Sequence, residues 1–216
     1  MDGLRAVLCS RNPHKARELE RLLPGWRIEP LAADDYPPED GETYLDNARI
    51  KAAFGRGRAP ADAWVLAEDS GIEVAALGGR PGVHSARYAA EAASAAGEAA
   101  CARPEDRGIA FGDPTGAPAI ARLLSDLGDA EDRRARYVSE LVALAPDGSE
   151  HRGTGVLAGR IGREPRGSEG FGYDPVFVPD GEERTVAELG DDWKERESHR
   201  ARSARALLEA LDETGR

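Results

Sequence analysis

The 216-residue chain contains three lysines, two asparagines and no glutamine, and those five residues fall in three short segments. Asn12 and Lys15 lie in Ser10-Arg11-Asn12-Pro13-His14-Lys15. Asn47 and Lys51 lie in Thr43-Tyr44-Leu45-Asp46-Asn47-Ala48-Arg49-Ile50-Lys51, and Lys194 opens Lys194-Glu195-Arg196-Glu197-Ser198-His199-Arg200. Elsewhere positive charge is carried by arginine. A lysine retained against that background suits chemistry that needs a compact ammonium rather than a guanidinium fork. Codon bias with chance clustering is the plainer alternative.

The first segment reads as strand, turn and helix. Free backbone N–H groups and the positive end of a helix dipole at such a turn suit phosphate, with Ser10, Asn12 and Lys15 adding to it; an ordinary capped turn reads the same way. No G-x-x-x-x-G-K-[ST] loop occurs. In the second segment Thr43-x-x-Asp46 fits a capping box, while Asn47 and Lys51, four apart, share a helical face. A carboxylate and a lysine together also suit a metal ion with phosphate. Glu68 and Asp69 follow the apolar run Trp64 to Ala67. Neighbouring strand residues face opposite sides, so both reach one cleft only if the chain turns, and Ser70-Gly71 is expected to supply that turn. Gly170-Phe171-Gly172-Tyr173-Asp174-Pro175 lacks the third glycine of a dinucleotide fingerprint. Its two aromatics and carboxylate suit a flat heterocycle, or else pack as plain core. In the third lysine segment Ser198 can cap a helix, and Lys194, His199 and Arg200 concentrate positive charge near it. His84 has no visible ligand partner, so a metal role there is not expected.

The elements that must position these groups follow from periodicity. Leu4 to Cys9, Trp26 to Leu31, Trp64 to Ala67 and Val176 to Val178 read as strands. Arg136 to Leu144 and Arg152 to Gly162 read as long adjacent strands around a turn at Pro146-Asp147-Gly148. Helices are expected over His14–Leu23, Thr43–Arg56, Pro118–Leu127 and a final stretch with Ala201, Ala204, Leu207, Leu208 and Leu211 on one stripe. Residues 89–116 read as helix followed by a mobile loop. Intermixed strands and helices without a repeat or long linker predict one α/β domain over 1–216 with a mixed sheet.

Composition narrows the function. A net charge of -11 and a pI near 4.9 argue against non-specific nucleic-acid binding, which relies on basic side chains at phosphates. Cys9 and Cys101 make no disulfide framework. No apolar run is long enough to span a membrane, and a cytoplasmic protein is expected.

The order of these segments carries more than any one of them. S-x-N-x-x-K, T-Y-x-D-N-A-x-x-K-A, A-E-D-S-G-I-x-V-x-x-L-G-G-x-P-G-V-x-S-A-R-Y, E-P-R-G-x-x-G-F-G-Y-D-P-x-F and A-E-L-x-x-x-x-K-x-x-x-S-H-R resemble the non-canonical purine nucleoside triphosphate pyrophosphatases, the Ham1-like or inosine triphosphatase family. The resemblance spans Leu4 to Leu211. It implies a two-lobed mixed α/β fold around a long mixed sheet, an active site in the inter-lobe cleft, and a homodimer. It also implies Mg²⁺-dependent release of pyrophosphate from ITP, dITP or XTP. By motif position, Ser10, Arg11, Asn12, Pro13, His14 and Lys15 would hold the triphosphate. Asp69 would accept the proton of water and touch metal, with Asp46 as a further metal ligand. Ser70, Phe171, Gly172, Tyr173, Asp174, Lys194, His199 and Arg200 would contact the nucleotide, and Lys51 would add a phosphate contact. Asp46 stands where the family usually has Glu, and Glu68 where it has Asp, so metal contact at Asp46 is expected to be looser or through water. A carboxylate tightly bound to Mg²⁺ is a weakened base, so either Asp69 touches metal through water or Asp46 and Glu68 hold it more directly. The stretch between Tyr88 and Leu123 departs from the family. Maf-type nucleotide pyrophosphatases and a non-catalytic nucleotide sensor are the competing readings.

Overall fold

The computed structural model describes residues 3–10, 12–90 and 116–213. Arg11 and the expected helix and loop across 91–115 lie outside the described residues, as do the side chains of Pro13 and His14.

A six-stranded sheet has the order β2-β1-β3-β4-β5-β6. Its strands are β1 (Leu4–Leu8), β2 (Trp26–Pro30), β3 (Trp64–Val74), β4 (Arg134–Leu144), β5 (Glu150–Ile161) and β6 (Phe177–Pro179). β1 pairs in parallel with both β2 and β3, whereas β5 and β6 are antiparallel, so the sheet is mixed as expected. α1 (Pro13–Leu22) links β1 to β2, and α2 (Tyr44–Arg56) precedes β3. These are the helical crossovers that parallel neighbours need. α3 (Ala117–Leu127), α4 (Val186–Leu189), α5 (Asp191–Glu197) and α6 (His199–Glu213) complete the described helices, with two 3₁₀ turns at Ala75–Leu77 and Gly82–Arg87. No helix among the described residues is long and apolar enough to cross a membrane.

The chain divides into two compact units. The first takes residues 1–70, 138–157 and 194–216, the second 71–137 and 158–193, with boundaries inside β3, β4, β5 and α5.

In the first unit the sheet carries a core on each face. Leu8, Leu66, Leu141 and Ala143 pack with Ala16, Leu19 and Leu23 around α1 and with Ala204, Leu207 and Leu211 of α6. Cys9, Val65, Ala67 and Val142 pack with Ala48 and Ala52 of α2. The alternation along β3 follows from the two-residue pleat of a strand. Close approach is bought by glycine: a Cβ at Gly55 would lie 1.9 Å from Cys9 Sγ, and one at Gly155 would lie 1.9 Å from the His199 carbonyl oxygen. These contacts seat α2 on β1 and the first turn of α6 on β5.

One expectation fails. The chain does not turn at Ser70-Gly71; β3 runs unbroken for 11 residues through Glu68, Asp69, Ser70 and Gly71. β3 has β4 as a hydrogen-bonded neighbour as well as β1, and the break expected from Gly gives way to sheet pairing.

Candidate active site

β1 stops pairing with β3 at Leu8↔Leu66, closed by a bond from Cys9 N–H to the Leu66 carbonyl of 2.7 Å. Beyond that point Ala67 to Ser70 continue along β3 with no β1 residue beside them. This is the position, off the carboxyl end of a parallel strand, where open α/β sheets bind ligands. The chain leaving β1 turns there: Asn12 N–H donates to Ser10 Oγ at 3.1 Å, and Pro13 opens α1, where its missing N–H costs nothing.

Glu68 points to the α1 and α6 face and is wholly buried. Its oxygens meet Lys15 Nζ at 2.7 Å, Arg200 Nη2 at 3.1 Å and the Ser139 hydroxyl at 3.0 Å. Arg200 is 1% exposed and bridges from Glu68 to Glu18, which also pairs with Lys194 Nζ at 2.9 Å. Lys15, Glu68, Arg200, Glu18 and Lys194 thus alternate in sign. Ser70 Oγ lies 3.4 Å from Arg200 Nη2. Ser203 reaches the Ser139 hydroxyl at 2.9 Å and donates to the Arg200 carbonyl at 3.0 Å. Burial works to protonate Glu68, but Arg200 and Lys15 outweigh it and hold the carboxyl well below its ordinary value. Burial also opposes ionisation of Glu18, yet Arg200 and Lys194 hold it at about 2.

Asp69 points to the opposite face, toward α2. Lys51 Nζ is 2.7 Å from its Oδ1, and Asn47 Nδ2 donates to its Oδ2 at 3.2 Å. Lys51 also reaches Glu39 Oε1 at 3.1 Å. Burial raises the Asp69 pKa, and the lowering by Lys51 and Lys15 does not cancel it. Burial opposes the charge of Lys51, but Asp69 and Glu39 prevail and its pKa is raised.

In the second unit Asp174 is buried and closes its own loop: Oδ2 accepts from Phe171 N–H at 2.9 Å, and Oδ1 from the Tyr137 hydroxyl at 3.2 Å. Tyr173 is buried and donates to the Ser85 carbonyl at 3.0 Å. Gly170 adopts φ 79°, and a Cβ there would lie 2.2 Å from Asp174 Oδ2. Asp174 and Tyr173 therefore brace the loop, and Phe171 is half-buried.

The profile of the Ham1 family matches residues 6–210. The chain belongs to the Ham1 family. A dITP/XTP pyrophosphatase of Opitutus terrae is 43% identical over 94% of this chain and 96% of that protein. One of Thermus thermophilus is 42% identical over 96% of this chain and 92% of that protein. The solved structure of the Staphylococcus aureus Ham1 protein superposes with a TM-score of 0.76 at 30% identity, covering 98% of this chain and all of that one.

Within this Ham1 chain, Lys15, Ser70, Lys194 and Arg200 gather on the Glu68 face of the first unit, while Lys51 gathers with Asp69 on the other. His199 is buried at the start of α6, and burial with Arg200 beside it takes its pKa down to about 3. It therefore adds no positive charge near neutrality, contrary to the expectation for its segment. Asp46 makes the expected capping box, its Oδ2 accepting from the Thr43 hydroxyl at 2.7 Å and from Thr43 N–H at 3.1 Å. Ser198 caps α6 as expected, accepting from Ala201 N–H at 3.1 Å. His84 faces Arg87 Nη2 at 3.1 Å.

Sequence reasoning missed Glu18, Glu39, Ser139 and Ser203. Glu18 had a readable signal, three residues after Lys15 on one helical face. Glu39 lies in an acidic loop without periodicity, and the serines come together only through β4 and α6.

Proposed function

We propose that the chain hydrolyses non-canonical purine nucleoside triphosphates (ITP, dITP and XTP) to the monophosphate and pyrophosphate, with Mg²⁺, as a cytoplasmic homodimer. The observation that carries this is Asp69, held at both oxygens at the end of β1, beside Lys15 and Lys51. Asp69 takes a proton from water as the water oxygen bonds to the α-phosphorus. The bond from that phosphorus to the bridging oxygen breaks, and pyrophosphate leaves. Such transfer is mostly positioning and charge stabilisation. The Ser10 to Lys15 turn, Lys51 and Lys194 would hold the polyphosphate. The His199-Arg200 segment would serve the 6-oxo group. A donor directed at that oxo group is left unpaired against adenine, which is a strong lever for discrimination.

The charges favour a metal. Lys15, Lys51, Lys194 and Arg200 already face Glu18, Glu39, Glu68 and Asp69, so this cluster has no net positive charge to offer a triphosphate. Among the described residues no group of three carboxylate, imidazole or thiol side chains could hold a metal by itself. Both facts fit Mg²⁺, which keeps one or two carboxylates and the substrate phosphates as ligands. Asp69 and Glu39 are the hard-oxygen donors that fit, with Asp46 committed first to its cap. Bound there, Mg²⁺ would neutralise phosphate charge. Glu68 turns to the other face and is consumed by Lys15 and Arg200.

The test is pyrophosphate release across ITP, dITP, XTP, GTP and ATP with and without Mg²⁺. Release from the first three, dependent on Mg²⁺, is expected. Binding without release points to a sensor, and preference for modified pyrimidine or 7-methylguanine triphosphates points to a Maf-type enzyme. Light scattering of the purified chain tests the dimer.

A further inference from the structure

Asn47 is one of two asparagines in the chain, and the reaction described above gives it no part. It is wholly buried, so its amide must find partners inside the protein. Gly41 N–H can only donate, and it lies 2.9 Å from Asn47 Oδ1. That contact fixes the amide's orientation and turns Nδ2 toward Asp69 Oδ2 at 3.2 Å. One helical turn on, Lys51 holds Asp69 Oδ1 at 2.7 Å. The loop carrying Glu39 comes close only because Gly41 has no side chain, since a Cβ there would lie 2.8 Å from Asn47 Oδ1 and 2.7 Å from Asp46 Cβ.

We propose that Asn47 is a positioning residue for Asp69: with Lys51 it fixes the plane of the carboxylate, and through Gly41 it couples that plane to the Glu39 loop. The proposal rests on Asp69 acting as the base. A base must aim a lone pair at the attacking water, and a carboxylate held at one oxygen only is free to rotate about its last bond. Asn47 touches neither water nor nucleotide in this role. Its contribution is orientation, which belongs in kcat rather than in KM.

Asn47→Asp separates this from simple bracing of the loop. It keeps an acceptor for Gly41 N–H and removes the donor to Asp69. In the full chain with Mg²⁺, Asn47→Asp is expected to lower kcat for the wild type's best substrate by about 10²-fold, as small misplacements of reacting groups do, with KM within about threefold. A fall in kcat of less than tenfold, or a loss carried by KM alone, overturns the proposal. Asn47→Ser, short of Asp69 and small enough for the site, is read by the same criteria should Asn47→Asp fail to fold. Melting temperatures keep the contact testable apart from activity. Asn47→Asp is expected to lower the melting temperature in the wild-type background and not in Asp69→Asn, and equal shifts in both overturn the proposal. If the wild type releases no pyrophosphate, the pyrophosphatase reading fails, while these melting shifts still decide the contact.

Discussion

Glu68 and Asp69 are neighbours on one strand, yet the two faces of β3 treat them oppositely. On the α1 and α6 face, Glu68 meets two cations and a hydroxyl, and its carboxyl is held well below the ordinary range. On the α2 face, Asp69 shares one ammonium with Glu39, and burial leaves its pKa raised. Environment, not residue type, separates a carboxylate fitted to take a proton from one fitted to hold cations in place, and paired groups pushed apart in this way mark acid–base assignments. The faces also differ in what they can lose. Glu68 is locked into a chain of ion pairs, whereas Asp69 is held by only two side chains of one helix.

The sharpest way to break this contrast is Asp69→Asn. Pyrophosphate release is expected to fall by about 10³-fold or more, within the range lost when a reaction's key group is removed, while calorimetry still detects nucleotide binding. Turnover within tenfold of wild type would remove Asp69 from the chemistry. On the other face, Glu68→Ala leaves Lys15 without its counter-ion and buried Arg200 with Glu18 alone, and a loss of about 3–5 kcal/mol of stability is expected in urea unfolding, as for a buried pair stripped of one partner. A loss of stability below about 1 kcal/mol would make Glu68 a surface-like ion pair and end the comparison.

The pH dependence of stability sharpens it further. His199 sits at about 3 in the folded chain against an ordinary 6.5, so below pH 6.5 the unfolded chain binds a proton that the folded chain does not. Glu18 sits at about 2 against 4.5 and acts in the same direction below pH 4.5. Stability should therefore be full above pH 6.5, fall from there toward pH 3, and fall more steeply once Glu18 joins. Urea midpoints from about pH 8 down to about pH 2 (roughly the span of both transitions) measure this. His199→Gln should abolish the upper limb alone, and an unchanged upper limb would assign it to other groups.

The smallest effect expected is that of Asp46→Ala. A carboxylate in a helix's first turn contributes about 0.3–1 kcal/mol, and the Mg²⁺ concentration giving half-maximal activity should not move. A severalfold increase in that concentration would make Asp46 a metal ligand as well as a cap.

Much of the first unit was legible in the residues. The capping box at Thr43 and Asp46, the shared face of Asn47 and Lys51, and the Ser198 cap all depend on contacts within one or two helical turns. The Gly170 to Pro175 loop shows the limit, because nothing in its spacing points to the Tyr137 hydroxyl that donates to Asp174 or to the Ser85 carbonyl that accepts from Tyr173. The turn expected at Ser70-Gly71 failed for the same reason, since sheet pairing outweighs the local preference of glycine.

Spacing along the chain determined the helices, the strands and which charged groups were set apart from an arginine-rich background. It could not decide which carboxylate meets which cation. Glu18 and Arg200 are far apart in sequence and pair only because α1 and α6 share one face of the sheet, and Asp69 meets Lys51 only because Gly55 lets α2 settle on β1. Local order follows from bonds a few residues long, whereas the charge state of a buried carboxylate is set by whatever the fold brings within a few ångströms of it.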